Sequence, residues 1–187
     1  VIEIEITNSF VIGSISGMKI NGSGDGLAGA TIGLFPENTT EFTVANAIAT
    51  TVSASNGAFE FTDIVYGNYI VKEIASPEGY IIDYTAYPVA ITTNGQVIEV
   101  EIVNNPIIGS VSGIKVDENN NALGGALIGI FKESSPESPL TTTTSAANGS
   151  FSFTNLAYGR YIVKEITAPT GYILDATAYP VEINTNG

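Results

Sequence analysis

The chain repeats itself. Gly13-Ser-Ile-Ser-Gly-Met-Lys19 returns as Gly109-Ser-Val-Ser-Gly-Ile-Lys115, 96 positions later. Tyr69-Ile-Val-Lys-Glu73 returns as Tyr161-Ile-Val-Lys-Glu165, and Ala86-Tyr-Pro-Val89 as Ala178-Tyr-Pro-Val181, both 92 positions later. A duplication on this scale constrains the fold more than any single motif, because whatever one copy builds the other must build too. The offset falls by four between Phe35–Asn56 and Phe131–Asn148. The lost residues therefore belong to a loop or a sheet edge, where length changes are tolerated.

The copies are out of phase with the ends of the chain. Val97-Ile-Glu-Val-Glu-Ile-Val-Asn104 alternates with period two: Ile98, Val100, Ile102 and Asn104 share one face, and Val97, Glu99, Glu101 and Val103 the other. The chain opens on the same arrangement, with Ile2, Ile4 and Ile6 on the side of Asn8. Gly187 matches Gly95, so the second copy stops where this last strand would begin. The expected organisation is residues 1–8 as the terminal strand of a preceding or neighbouring repeat, 9–105 as a first domain, and 106–187 as a second domain lacking its final strand. Two arrangements fit: a covalently continuous array cut one strand out of phase, or strand donation from one molecule to another.

Each copy reads as all-β. Ile15, Gly17 and Lys19 alternate with Ser14, Ser16 and Met18, and Phe59 and Phe61 (Phe151 and Phe153) alternate with polar residues. Turn signals are frequent: Asn21–Gly26 and Asp117–Asn121, Tyr66-Gly67 and Tyr158-Gly159, Pro77-Glu-Gly-Tyr80 and Pro169-Thr-Gly-Tyr172. Asn56-Gly57 and Asn148-Gly149 carry the strongest hairpin signal. No helical period is sustained. Many short strands between turns predict two tandem β-sandwiches.

Composition removes several function classes. The chain of 187 residues is 44% hydrophobic and only 13% charged, enough to bury a core. The net charge is −13 with six basic residues, which argues against nucleic acid or anionic lipid as partner. No run approaches the roughly 18 apolar residues of a membrane span, so no membrane insertion is expected in this segment. No signal peptide, lipidation signal or LPxTG-type sorting signal is visible; if the protein is exported, those parts lie outside this segment. Cysteine and histidine are absent, so disulfides are excluded and the commonest general base and metal ligand are missing. No cofactor or metal is expected. A small β-domain without such staples needs another source of stability.

Each copy offers a lysine and a glutamate among apolar neighbours. Lys19 and Lys115 share a face with Ile15 and Val111; Glu73 and Glu165 share theirs with Tyr69 and Val71, or Tyr161 and Val163. Asn104 ends the apolar face of its strand. One reaction uses all three. Desolvation lowers a lysine pKa and raises that of a glutamate. The neutral amine attacks the asparagine carboxamide carbon while the carboxylic acid polarises the carbonyl and relays protons; ammonia leaves and an isopeptide bond remains. The expected link is Lys19 to Asn104 with Glu73 as acid and base.

Gly-x-Val-x-x-x-Lys-x-Asp followed by Leu-x-Gly-Ala (Lys115, Asp117, Leu123, Gly125, Ala126), the corner from Tyr161 to Tyr172, and a terminal strand ending in Asn resemble the B-type repeats of Gram-positive collagen-binding adhesins and pilins, the CnaB or SpaA-like domains. The resemblance covers both copies. It implies a transthyretin-like or Ig-like sandwich, self-formed Lys–Asn bonds with a glutamate catalyst, and a place in an extracellular stalk or pilus-like filament. Carried over by position, the sets are Lys19, Glu73 and Asn104, and Lys115 and Glu165 without an asparagine. Asn8 of another molecule or repeat is the candidate for that last place, so neighbouring copies, head to tail, are the expected partners. The first copy departs at Ile20-Asn21, where the pattern has x-Asp, and at Ser76, where it has Ala; neither touches the three residues.

Plainer readings stand beside these. Lys19 can be a snorkelling strand lysine, Glu73 a surface ion-pair partner, and Asn104 a strand-ending turn residue. Lys72 and Lys164 read as solvated. Asn21–Gly26 is a turn rather than a calcium loop, lacking EF-hand spacing. Asn21, Asn38 and Asn148 open short glycosylation-type sequons. A second function class is an adhesin module that binds host protein or glycan through Thr39–Thr51, although no aromatic hot spot marks that stretch. A third is an accessory domain of a secreted carbohydrate-active enzyme, disfavoured because the chain has no Trp platform.

Overall fold

The structure is a computed structural model and describes residues 2–187. The chain divides into two compact units, Val1–Asn105 and Pro106–Gly187.

Unit 1 is built from β1 (Ile12–Asn21), β2 (Thr31–Pro36), β3 (Ala49–Val52), β4 (Ala58–Val65), β5 (Gly67–Ala75), β6 (Tyr87–Ile91) and β7 (Val97–Asn104). Two sheets form, in the orders β3-β2-β5-β6 and β4-β1-β7. The alternation in the sequence sets which side chains meet between them. Ile15, Phe59, Phe61, Val100 and Ile102 come from one sheet, and Ile32, Leu34, Val71, Val89 and Ile91 from the other, in one buried cluster. Burying such side chains is worth roughly 1.5–3 kcal/mol each and is what holds the sheets together. Phe35 points outward but is covered as well, edge-to-face with Phe42 at 5.0 Å.

Pairing within the smaller sheet matters most for the site. β1 runs antiparallel to β4 and parallel to β7. The parallel register places Lys19 opposite Ile102 and Asn21 opposite Asn104. Gly17 keeps this centre open: a Cβ there would lie 2.1 Å from the Phe59 ring and 2.5 Å from the Val100 carbonyl.

Unit 2 repeats the plan with β8 (Ile108–Ile114), β9 (Leu127–Lys132), β10 (Thr141–Thr144), β11 (Ser150–Ala157), β12 (Gly159–Thr167) and β13 (Tyr179–Ile183). Its sheets are ordered β10-β9-β12-β13 and β11-β8. Among the described residues β8 pairs with β11 alone, and nothing takes the place that β7 holds beside β1. Residues 2–11 form no strand, and Ile2, Ile4, Ile6 and Phe10 are exposed. The four-residue length difference falls in the segments 37–48 and 133–140, between β2 and β3 and between β9 and β10.

One local expectation is corrected. Asn56-Gly57 does form a tight turn, with Gly57 at φ 84° and its N–H donating to the Ala54 carbonyl. The flanking β3 and β4 belong to different sheets, however, so the turn is a crossover between layers rather than the tip of a hairpin. The Ser53 hydroxyl explains the switch. It accepts from the Ala30 N–H and donates to the Leu27 carbonyl, tying the end of β3 to the approach of β2. Ser145 does the same with Ala126 and Leu123.

Candidate functional site

Lys19, Glu73 and Asn104 meet in the interior of unit 1, each essentially without exposure. Alternation sends Lys19 inward from β1, Asn104 inward from β7, and Glu73 inward from β5 in the opposite sheet. The Lys19 Nζ lies 3.8 Å from Glu73 Oε1 and donates to the Ile102 carbonyl at 3.0 Å. The Asn104 amide nitrogen donates to the same Oε1 at 2.9 Å. Asn104 Oδ1 is buried and, among the described residues, has no hydrogen-bond partner. Leaving such an atom unpaired costs about 1–3 kcal/mol. Burial holds the Lys19 amine below the ordinary lysine range, against the opposing pull of the Glu73 and Asp83 carboxylates.

A further group, not singled out from the sequence, fixes the carboxylate. Glu73 Oε2 accepts from the Asp83 backbone N–H at 2.7 Å. Asp83 in turn accepts from the Thr85 N–H and from the Tyr87 hydroxyl, the latter at 2.6 Å. Burial works against the charged form of Asp83, but these hydrogen bonds outweigh it and hold the carboxyl below its usual range. Tyr87 is pushed up to about 12, by burial first and by Asp83 second. The loop between β5 and β6 is thus clasped onto Glu73. The signal was present as Asp-x-Thr-x-Tyr at the same offset in both copies.

Unit 2 reproduces the carboxylate half. Lys115 Nζ lies 3.7 Å from Glu165 Oε1, and Glu165 Oε2 accepts from the Asp175 N–H at 2.8 Å. Asp175 accepts from the Thr177 N–H and the Tyr179 hydroxyl, which hold it down at about 2. The surroundings of the amine differ. The Lys115 side chain is 19% exposed where that of Lys19 is fully covered. Glu165 Oε1 is buried without a hydrogen-bond partner among the described residues. A cavity of about 350 Å³ opens there, lined by Val111, Lys115, Phe151, Val163, Glu165 and Val181 among others. Asn8 is exposed in this single chain and lies on no strand.

Lys72 and Lys164 are not merely solvated. Lys72 donates to the Tyr84 carbonyl at 2.7 Å and sits 4.4 Å from the centre of the Phe42 ring. Lys164 donates to the Pro136 carbonyl and covers Phe131 at 4.3 Å. Each fastens a loop to the outer face of the larger sheet through its ammonium and an aromatic face. The Asn21 side chain closes its own turn, accepting from Ser23 and Asp25 N–H groups. Among the described residues no His, Cys, Asp or Glu group is arranged to hold a metal ion, and no helix is long and apolar enough to cross a membrane.

Comparison with known proteins supports the fold from outside. A structure of the Bacillus anthracis TIE protein matches with a TM-score of 0.82 and 26% identity, over 95% of this chain and 33% of that one. The C-terminal fragment of the pilus adhesin SpaC from Lactobacillus rhamnosus GG matches with a TM-score of 0.63 and 19% identity, over 93% of this chain and 82% of the fragment, a likeness of fold. Colossin-A of Dictyostelium discoideum is 25% identical over 76% of this chain, which spans only 2% of that protein's length. The family model for the SpaA prealbumin-like fold domain matches twice, at residues 13–106 and 109–187. The chain therefore belongs to the SpaA prealbumin-like fold domain family and carries two of its domains in tandem.

Proposed function

We propose that the chain is a structural stalk module of an extracellular surface protein, adhesin or pilus-like, whose first domain is locked by an isopeptide bond between Lys19 and Asn104. The observation that carries this reading is the meeting of Lys19, Glu73 and Asn104 in a dry interior. A buried ion pair beside a buried amide is poor design for stability alone, since desolvating two charges offsets most of their attraction. It is good design for amide transfer. One proton passes from the Lys19 ammonium to Glu73, leaving a neutral amine and a carboxylic acid. A half-turn of the Asn104 amide brings Oδ1 to that acid, which polarises the carbonyl. The amine nitrogen bonds to the Asn104 side-chain carbon, the carbon–nitrogen bond of the amide breaks, and ammonia leaves with the protons that Glu73 relays. Positioning of this kind can supply about 7–11 kcal/mol of the barrier.

The reaction runs once per domain and turns over no substrate, so the chain is not an enzyme in the ordinary sense. Support for the surface setting comes from the shared fold with a pilus adhesin fragment and from the acidic, cysteine-free composition. In a stalk, further units follow end to end as the two do here along the sequence.

Intact mass tests the reading. The chain is expected to weigh one ammonia less than its sequence requires, and Lys19→Ala or Glu73→Ala restores the full mass. A wild-type mass equal to the sequence mass would remove the covalent element.

A further inference from the structure

Of the three glycosylation-type sequons, one stays free when the chain folds. From that difference we infer that Asn38 is a glycosylation site, which takes one sugar chain on its side-chain nitrogen from a diphosphate-activated sugar donor. The inference goes beyond the stalk reading and does not depend on the Lys19–Asn104 bond.

A transferase has two requirements of such a tripeptide. It draws Asn-x-Ser/Thr into its own cleft, so the backbone there has to leave its neighbours. It then needs the asparagine amide, and the hydroxyl two residues on, unengaged. Each hydrogen bond that the folded chain already makes to those groups opposes one of the two.

Asn21-Gly22-Ser23 fails on the amide. The Asn21 side-chain nitrogen donates to Asp25 Oδ2 at 2.9 Å, and its Oδ1 accepts from the Ser23 and Asp25 N–H groups at 2.8 and 2.9 Å. Its own backbone N–H, at the end of β1, donates to the Asp25 carbonyl. Asn148-Gly149-Ser150 fails on the hydroxyl and on the backbone. The Ser150 hydroxyl donates to Asn148 Oδ1 at 2.8 Å. Gly149 donates to the Ala146 carbonyl and accepts from the Lys115 N–H. Ser150 accepts from the Ala146 N–H and enters β11, paired with Ile114.

Asn38-Thr39-Thr40 is free on each count. Asn38 and Thr40 are exposed and, among the described residues, neither side chain has a hydrogen-bond partner. The backbone of the three is tied at the Thr39 N–H, which donates to the Pro36 carbonyl at 3.0 Å. The chain on either side is fixed. Asn68 donates to Glu37 at 3.1 Å before the sequon. After it, Phe42 packs on Phe35 at 5.0 Å, with the Lys72 ammonium over the Phe42 ring at 4.4 Å. The sequon is an open stretch between two anchors, and such a loop can enter an enzyme cleft without unfolding its domain. Unit 2 has no counterpart: at the 96-residue offset the three positions are Ser134, Ser135 and Pro136. The acceptor belongs to the longer loop of unit 1.

The transfer balances. The Asn38 side-chain nitrogen bonds to the anomeric carbon of the sugar, and the bond from that carbon to the donor's phosphate oxygen breaks. The diphosphate leaves with the electron pair, and the amide proton passes to a base of the transferase.

The test offers the folded chain of 187 residues to two transferases in separate arms and reads intact mass and peptide maps. One arm holds a soluble asparagine glucosyltransferase with UDP-glucose. The other holds a membrane oligosaccharyltransferase with a polyprenyl-diphosphate oligosaccharide. One glycan per folded chain is expected, at Asn38, and the arm that supplies it identifies the carrier. Short peptides carrying each of the three sequons should all accept the sugar, so that the selection is made by the fold. Asn38→Gln and Thr40→Ala should abolish the addition, Thr40→Ser should keep it, and Asn21→Gln and Asn148→Gln should leave it unchanged. Because Asn38 is exposed and unbonded, Asn38→Gln leaves the fold intact, which an unaltered melting curve checks. A folded chain that stays unmodified in both arms overturns the inference, as does a glycan on Asn21 or Asn148 of the folded chain, or an addition that survives Asn38→Gln.

Discussion

The two units share six strands and the clasp on the glutamate, and in unit 1 a further strand, β7, closes the smaller sheet. In both, the lysine and the glutamate face each other across the sandwich at nearly the same distance, 3.8 Å in unit 1 and 3.7 Å in unit 2. The pairing is thus made by the two strands that carry the residues. Dryness is not. With β7 in place the Lys19 side chain is fully covered; without a counterpart the Lys115 side chain keeps 19% of its exposure. The desolvation that depresses the Lys19 amine is therefore a property of the closed sandwich. Coverage of the lysine belongs to the assembled core, and the residue types alone do not confer it.

The comparison breaks most visibly at the proposed Lys19–Asn104 bond. Glu73→Gln keeps the shape of the site and removes the proton carrier. It should leave the bond unformed and cost unit 1 about 4–5 kcal/mol, by analogy with closing a loop of about 85 residues with a disulfide. Calorimetry should show one transition falling sharply while the transition of unit 2 stays in place.

A packing change sharpens it next. Ile102→Ala empties a fully buried position on β7 and should cost about 2–5 kcal/mol in denaturant unfolding. Ile6→Ala makes the same change at the matching position of the N-terminal segment, which is exposed in the single chain. It should leave both transitions unchanged.

A smaller effect is expected at the clasp. Tyr87→Phe removes the hydroxyl that donates to Asp83 at 2.6 Å and should cost about 1.5 kcal/mol, the lower end for a hydrogen bond to a charged group. It should also slow bond formation, measured as the time course of ammonia loss on refolding, because Asp83 positions Glu73. Tyr179→Phe removes the same bond at a residue that is 50% exposed, and its cost should be smaller.

The smallest effect is on pH dependence. Asp175 is held at about 2 against an ordinary value of 3.8. Its contribution stands in full above pH 3.8 and is lost as pH falls toward about 2, because the unfolded chain takes up the proton first. Tyr87 is displaced the other way, to about 12 from 10.0. Its contribution is complete below pH 10 and is lost as pH rises toward about 12. Melting curves across pH should show an acid loss that Asp175→Asn lessens and an alkaline loss that Tyr87→Phe lessens.

Period two alone shows which side chains share a face, and leaves open whether a polar one among them is covered. It set Lys19 and Asn104 on the more apolar faces of β1 and β7 and Glu73 on that of β5, and the structure shows those faces covered. The repeat then located the two units. What alternation cannot show is what lies across a face or beyond a strand end. The Asp83–Tyr87 clasp begins in a loop with no period, and only its recurrence as Asp175–Tyr179 could have exposed it. Lys72 reads as solvated in the sequence because its partners, the Tyr84 carbonyl and the Phe42 ring, come from other segments of the chain. Asn56-Gly57 marked a turn correctly and its context wrongly, since Ser53 anchors the preceding strand to the other sheet.

The parallel pairing of β1 with β7 sets how unit 1 answers a pull on its two ends. Force enters at the beginning of β1 and leaves at the end of β7, so the strands are loaded in shear: the register pairs from Ser14–Val97 to Asn21–Asn104 resist together and must fail together. An antiparallel pair at the same place would unzip one rung at a time. If Lys19 and Asn104 are joined, the load path runs through residues 12–19 and straight out, and the chain from 20 to 103 becomes hidden length that stretching cannot release.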